Sequence, residues 1–246
     1  MKIISWNIRG MNDRSKQKML RDLIIAEAPD VVMLQETKCT TDDINRLLPY
    51  YWKQGAGVSI DAIGTAGGLA ILWNTNTVLL EHFCTTRWAI TADYRLIGSG
   101  KPGHLTNLYG PATPQDKQDF LRSLSYLSII THYHRWIIGG DFNIIRGLTE
   151  KRGGSKRLDR DSDDFNSLID DLILIDLEAI NGMHTWTNRR TGMHQIACKL
   201  DLFLVSESLL MEGNAAESSI LNHAGSDHWP IQSWLDVLTT PGKKPF

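Results

Sequence analysis

The stretch Gly139 to Asn143, read GGDFN, follows directly on the β-type run Arg135, Trp136, Ile137, Ile138. A run that stops at two glycines and then delivers an acid and an amide predicts a strand whose carboxyl end carries Asp141 and Asn143. A tight turn there lets a substrate approach the backbone. Taken alone the motif fits a plain turn equally well, with Asp141 as its cap and Asn143 in left-handed geometry. Four further polar motifs close apolar runs elsewhere: Trp6 with Asn7; Gln35, Glu36, Thr37; Tyr109, Gly110, Pro111; and Ser226, Asp227, His228. Five such endings call for a fold that gathers strand ends on one rim.

A chain of 246 residues, 42% hydrophobic and 22% charged, can bury a large core and has the composition of a soluble globular protein. Its net charge of −2 argues against a broadly basic surface, so any nucleic-acid binding rests on local patches. Cys39, Cys84 and Cys198 are odd in number and widely spaced. That pattern points to a reducing compartment rather than to a disulfide framework or a zinc site. Met1 to Trp6 meets polar Asn7 too early for a signal peptide, and no run of about 20 apolar residues offers a membrane span.

Ile3 to Trp6 reads as a buried strand, Ser15 as the cap of a helix with Met19, Leu20, Leu23 and Ile24 on one stripe, and Val31 to Leu34 as a second strand. A short helix is expected from Thr41 to Leu48. Gly67 to Trp73, Thr77 to Phe83, Trp88 to Ile97 and His104 to Tyr109 read as successive antiparallel strands. Pro114 starts a helix that runs to about Ile130. Ser162 and Asp163 open another, with Phe165, Leu168, Ile169, Leu172 and Ile173 inward. Thr185 to Thr187, Lys199 to Val205, Ser219 to Leu221 and Ile231 to Leu235 alternate as strands. The expected organisation is one domain over 1–238, with 239–246 as a tail or the start of a linker.

The strand-ending motifs, with Lys199 to Val205, supply Asn7, Glu36, Tyr109, Asp141, Asn143, Asp201, Asp227 and His228. Four carboxylates without cysteine or paired histidines suit a hard, oxygen-preferring cation such as Mg²⁺ better than zinc. Amides and a phenol are neutral donors to an anionic substrate, and a histidine among acids can orient or relay a proton. These are parts for metal-assisted hydrolysis of a phosphate ester. That reaction requires accelerations beyond about 10¹⁵-fold, whereas one acid or base supplies roughly 10² to 10⁴. Metal, base and donors must therefore act together.

WNIRG (Trp6 to Gly10), LQETK (Leu34 to Lys38), YGP (Tyr109 to Pro111), GDFN (Gly140 to Asn143) and SDHWP (Ser226 to Pro230) resemble, in order, the motifs of the endonuclease, exonuclease and phosphatase superfamily. WNIRG, GGLAILWN (Gly67 to Asn74), YGP, and HTWTN (His184 to Asn188) before LDLFLVS (Leu200 to Ser206) are most similar to the endonuclease domain of plant LINE-type (non-LTR) retrotransposons. The resemblance implies an α/β (α+β) fold, a four-layer sandwich of two packed mixed β-sheets flanked by helices. It implies a divalent metal, Mg²⁺ with Mn²⁺ able to replace it, held by Glu36 with Asp227 as a further ligand or neighbour. Whether one or two metals act stays open. It further implies that Asp141 aligns or deprotonates the attacking water, steadied by Asn143, while Asn7 and Tyr109 bind the scissile phosphate. His228, oriented by Asp201, would stabilise developing charge or relay a proton. Thr185 and Ser226 become candidate phosphate-side contacts and Asn188 a groove contact.

The expected partner is double-stranded DNA, nicked on one strand to leave a 3′-hydroxyl. The resemblance implies fusion to a reverse transcriptase, no membrane, a monomer, synthesis in the cytoplasm and action in the nucleus. Arg189 and Arg190, in a turn-like segment, are expected to reach a groove, with the basic loop Lys151 to Arg157 as a second patch. Family members commonly have arginine where this chain has Leu202, a change that removes a salt bridge or DNA contact, or simply repacks a strand. The competing readings are an apurinic/apyrimidinic endonuclease and a non-catalytic DNA-binding descendant.

Overall fold

The structure, a computed structural model, describes residues 1–236 apart from 65–66, 133, 159, 212–213 and 223–224. The expected 239–246 tail lies outside the described residues. In chain order come β1 (Lys2–Asn7), α1 (Arg14–Glu27), β2 (Val31–Gln35), α2 (Thr41–Tyr51), β3 (Gly55–Ile60), β4 (Leu69–Asn74), β5 (Val78–Thr85), β6 (Ala89–Leu96) and β7 (Pro102–Tyr109). Next are α3 (Pro114–Ile130), β8 (Trp136–Asp141), β9 (Lys151–Arg152), α4 (Asp161–Asp171), β10 (Leu174–Asp176), β11 (Trp186–Thr187) and β12 (Ala197–Cys198). β13 (Asp201–Ser206), α5 (Glu207–Met211), β14 (Ala215–Ile220) and β15 (Ile231–Asp236) complete it.

Two six-stranded mixed sheets, β14-β15-β1-β2-β4-β3 and β10-β13-β8-β7-β6-β5, pack face to face. Each contains one parallel pair, β1 with β2 and β7 with β8, and each pair is joined by a helical crossover, α1 or α3. Strand alternation sorts the side chains. Ile3, Val31, Met33, Ile137, Phe203 and Val205 meet between the sheets. Ile4, Trp6, Val32 and Leu34 turn out to meet Leu20, Leu23 and Ile24 of α1. On the far side Trp136, Ile138 and Leu204 meet Phe120, Leu124 and Phe165 from α3 and α4. The result is the expected four-layer α/β/β/α sandwich.

Several local expectations are corrected. Asp13, not Ser15, caps α1, because its carboxylate accepts both the Ser15 amide (2.8 Å) and hydroxyl (2.9 Å). Helix α2 does not stop at Leu48: Thr40 and Asp43 form a reciprocal capping box, and the helix continues through Pro49 until Trp52 N–H closes on Leu48. β4 and β5 are not sheet neighbours; they belong to different sheets, so the antiparallel series breaks there. β3 shows no strand alternation in sequence because glycines dilute its pattern, and a Cβ at Gly57 would lie 2.9 Å from the end of the Leu72 side chain. Helix α4 begins at Asp161, and Ile173 points to solvent where the chain turns with φ 50° into β10. The basic stretch from Lys151 starts as β9, paired with β12, before it becomes a loop.

Gly139 and Gly140 are also not a turn. Both lie inside β8, paired with Phe203 and Leu202 of β13. A Cβ at Gly139 would meet Phe203 at 2.6 Å and Met33 at 2.8 Å, and one at Gly140 would meet the Leu108 carbonyl oxygen at 2.0 Å. The glycines admit neighbouring strands and the opposite sheet, not a substrate.

Candidate active site

The parallel pairs end at the same level. Asn7 lies opposite Gln35, and Tyr109 lies opposite Asp141. β13 runs antiparallel to β8, so its first residue, Asp201, pairs with the last of β8, Asp141. β15 runs antiparallel to β1, and the segment just before it therefore delivers Asp227 and His228 to the end of β1. By the two-residue period, Asn7, Tyr109, Asp141 and Asp201 all face the gap between the sheets. Glu36, one residue past β2, turns in with φ 50°. Asn7, Glu36, Tyr109, Asp141, Asn143, Asp201, Asp227 and His228 thus converge at one rim.

The Asn7 amide nitrogen donates to Glu36 Oε1 (3.1 Å) and to Asp141 Oδ2 (2.9 Å), linking the two carboxylates through one donor. The Tyr109 hydroxyl donates to the same Glu36 oxygen at 2.8 Å. Asn143 donates its backbone N–H to Asp141 Oδ1 (3.0 Å), and its amide to Asp141 Oδ2 (3.2 Å) and the Gly110 carbonyl (2.8 Å). It adopts φ 51°, a conformation asparagine tolerates. His228 Nδ1 lies 2.9 Å from Asp201 Oδ2, and its Nε2 faces Asp141 Oδ2 at 3.7 Å. The ring is held between two acids, with Nε2 toward the site.

Burial pushes the Asp141 carboxyl up to about 7, opposed by the His228 charge and reinforced by Asp201. Burial alone would lower His228, but Asp201 and Asp141 overcome it and hold the imidazolium up to about 9. Tyr109 is raised by burial and by the adjacent Glu36, so it stays a hydrogen-bond donor. Asp227 is opposed by burial but held low by the Trp186 indole N–H at 3.0 Å, by Arg9 and by His228.

The donor set fits a hard divalent cation. Glu36 is buried, and Asp227 is oxygen-bearing and held low. Arg9 reaches both, with Nε 2.9 Å from Asp227 Oδ1 and a terminal nitrogen 3.6 Å from Glu36 Oε1, while Lys38 lies 3.9 Å from Glu36 Oε2. Two cationic side chains drawn to one carboxylate mark a place of concentrated negative charge. Asp141, Asp201 and His228 also bring three ligand atoms within 4.8 Å of one another. There the imidazole already spans the two acids by hydrogen bond and ion pair, an arrangement suited to holding a proton.

The remaining candidates divide. Thr185 is buried and its hydroxyl accepts the amides of Leu200 and Asp201, each at 3.0 Å, so it builds the bend that places Asp201. Ser226 donates to the Asn7 carbonyl (2.7 Å) and accepts the His228 amide (3.2 Å), tying the 226–228 segment to β1. Both hydroxyls are committed inside the protein. Asn188 accepts the amides of Arg190 and Ile196 and donates to the His194 carbonyl, closing the 188–196 loop on itself. Arg189 and Arg190 are exposed, and Arg189 lines an open pocket of about 240 Å³ with Arg9, Lys16, Asn188, Ser226 and Asp227 beside the rim. Arg190 and the 151–157 stretch are not among the residues lining it. Arg9, Lys16, Lys38 and Trp186 were missed as site residues. Arg9 and Lys38 stand inside WNIRG and LQETK, and their adjacency to Asn7 and Glu36 was the available signal.

A family model described as Endonuclease/Exonuclease/phosphatase family matches residues 4–228. The chain belongs to that family. Its members are hydrolytic phosphodiesterases, the chain is an enzyme of that class, and nucleases of the family use divalent metals. Among curated relatives, Recombination repair protein 1 of Drosophila melanogaster is 25% identical over 96% of this chain, which spans only 37% of that protein's length. DNA repair nuclease APEX1 of Danio rerio is 28% identical over 96% of this chain and 83% of its own. Among solved structures, the endonuclease domain of TRAS1, a telomere-specific non-LTR retrotransposon, superposes with a TM-score of 0.73 at 14% identity, covering 94% of this chain and 96% of that one. The AP endonuclease LMAP from Leishmania major gives 0.77 at 18%, covering 96% and 88%. At such identities the superpositions speak for the fold.

Proposed function

We propose that this member of the family is a Mg²⁺-dependent endonuclease that nicks one strand of double-stranded DNA and leaves a 3′-hydroxyl for target-primed reverse transcription. The observation that carries the chemistry is the Asn7 amide held between Glu36 and Asp141, because it sets a metal-holding carboxylate and a water-activating carboxylate at a fixed spacing. Glu36 and Asp227 would hold the cation, which when bound polarises the scissile phosphate and neutralises charge on it. Asp141, near neutral in its proton affinity, would take a proton from water as the water oxygen bonds to phosphorus and the bond to the 3′-oxygen breaks, and a solvent water returns a proton to that oxygen to give the 3′-hydroxyl. Asn7 and Tyr109, whose donors are bonded to Glu36 and Asp141 in this structure, would turn a hydrogen to the phosphate oxygens once the cation occupies Glu36. His228, charged at neutral pH and fixed by Asp201, stabilises the added negative charge.

The ordered motifs and the TRAS1 likeness support the retrotransposon assignment, with fusion to a reverse transcriptase, a monomeric cutting domain and action in the nucleus. No helix among the described residues is long and apolar enough to cross a membrane. In the test, supercoiled plasmid relaxes with Mg²⁺ and stays intact with chelator or with Asp141→Asn. Equal nicking by that variant would remove the assignment. The likeness to DNA repair nuclease APEX1 and LMAP favours apurinic/apyrimidinic cleavage as a second reading. A strong preference for an abasic duplex over an intact one would select it.

A further inference from the structure

Arg9 touches both proposed metal-holding carboxylates and has no role in the mechanism above. It follows Asn7 by two residues, its backbone N–H bonds the Asn7 side-chain oxygen at 3.2 Å, and it sits in left-handed geometry, φ 55°. An arginine pays strain in that conformation, which places the guanidinium where Glu36 and Asp227 share it. Burial lowers its proton affinity, but the two carboxylates more than reverse that, so it is a fixed positive charge. The side chain is nonetheless 40% exposed. It lines the same open pocket as Lys16 and Arg189, and the Lys16 ammonium is anchored there by the Ile8 carbonyl at 2.8 Å and by that of Arg9 at 2.6 Å.

We propose that Arg9 is an exchangeable counter-cation: it neutralises Glu36 and Asp227 in the metal-free protein, and it is released to a DNA backbone phosphate in the pocket it shares with Lys16 and Arg189 once those carboxylates take a divalent metal. The inference rests on the nuclease reading above. Arg9 cannot serve two carboxylates and a phosphate at once, so a divalent metal on the two acids frees the guanidinium for an anion beside Lys16 and Arg189. With both present, the acids face the metal and the guanidinium forks onto phosphate, its preferred partner. Metal and DNA therefore strengthen each other's binding, and by reciprocity to the same extent.

The test measures Mn²⁺ affinity by electron paramagnetic resonance and duplex affinity by fluorescence anisotropy. Asn is chosen to replace Arg9 because it accepts positive φ while deleting the charge. The free Arg9→Asn protein is expected to bind Mn²⁺ about fivefold or more tighter than wild type. Duplex binding is followed in an Asp141→Asn background, which leaves the DNA uncut. There Mg²⁺ is expected to raise duplex affinity about tenfold with Arg9 present and less than about twofold with Arg9→Asn. The background protein alone tests the coupling, whatever the fate of the double variant. Mn²⁺ binding by Arg9→Asn no tighter than wild type, or no effect of Mg²⁺ on duplex binding when Arg9 is present, would overturn the exchange while leaving the nuclease reading intact. Failure of wild type to bind Mn²⁺ or to nick plasmid would overturn both.

Discussion

Asp141 and His228 divide the work of one proton between two buried groups 3.7 Å apart. The proposed mechanism needs Asp141 ionised and His228 charged, so kcat should rise with pH through the Asp141 value near 7 and fall through the His228 value near 9. A metal-loaded pH profile of plasmid nicking checks this, with His228→Gln expected to lose the alkaline limb along with about 10² to 10⁴ in rate. The sign for stability is separate. Both values lie above those of the unfolded chain, so the folded protein holds these protons more tightly. The contribution is full below the unfolded carboxylate value, lost in part as pH climbs through 7 and lost entirely above 9. Thermal melts of metal-free protein should therefore show the melting temperature falling between pH 6 and 10, and falling less for Asp141→Asn.

At the scale of the strand, the site stands on β8 and β13, and both are tightly constrained. Gly139→Ala inserts a methyl between Phe203 and Met33 and is expected to cost about 1–3 kcal/mol, read as a lowered urea midpoint. Leu202 is 1% exposed and shares an apolar cluster with Phe142 and Phe165. In this chain, then, the side chain at this position serves as strand packing. Leu202→Arg, which installs the residue common in the family, would bury a charge without a partner in that cluster. It should destabilise by about 3 kcal/mol or more rather than improve DNA binding, as paired melting and anisotropy measurements would show.

For the whole molecule, the proposed nuclease would hold DNA without a net positive charge. Arg9, Lys16 and Arg189 gather beside the rim, so neutralisation of about three phosphates predicts a log–log salt slope of roughly −3 for duplex binding. A slope near zero would place binding elsewhere. The motifs made the eight converging rim residues legible, because each closes or opens an apolar run, and for Asn7, Tyr109, Asp141 and Asp201, which lie on strands, a period of two fixes which way they face. The sandwich followed from the resemblance. What local pattern could not show is which strands pair: β4 and β5 adjoin in sequence yet belong to different sheets, whereas Asp141 and Asp201 stand side by side. Nor could it show that Thr185 and Ser226 spend their hydroxyls on backbone amides and carbonyls, or that Arg9 reaches across to acids 27 and 218 positions later in the chain. Residue type and period are local properties and set what each segment can offer. Pairing, burial and the sharing of charge depend on distances between remote segments, and only the folded chain fixes those.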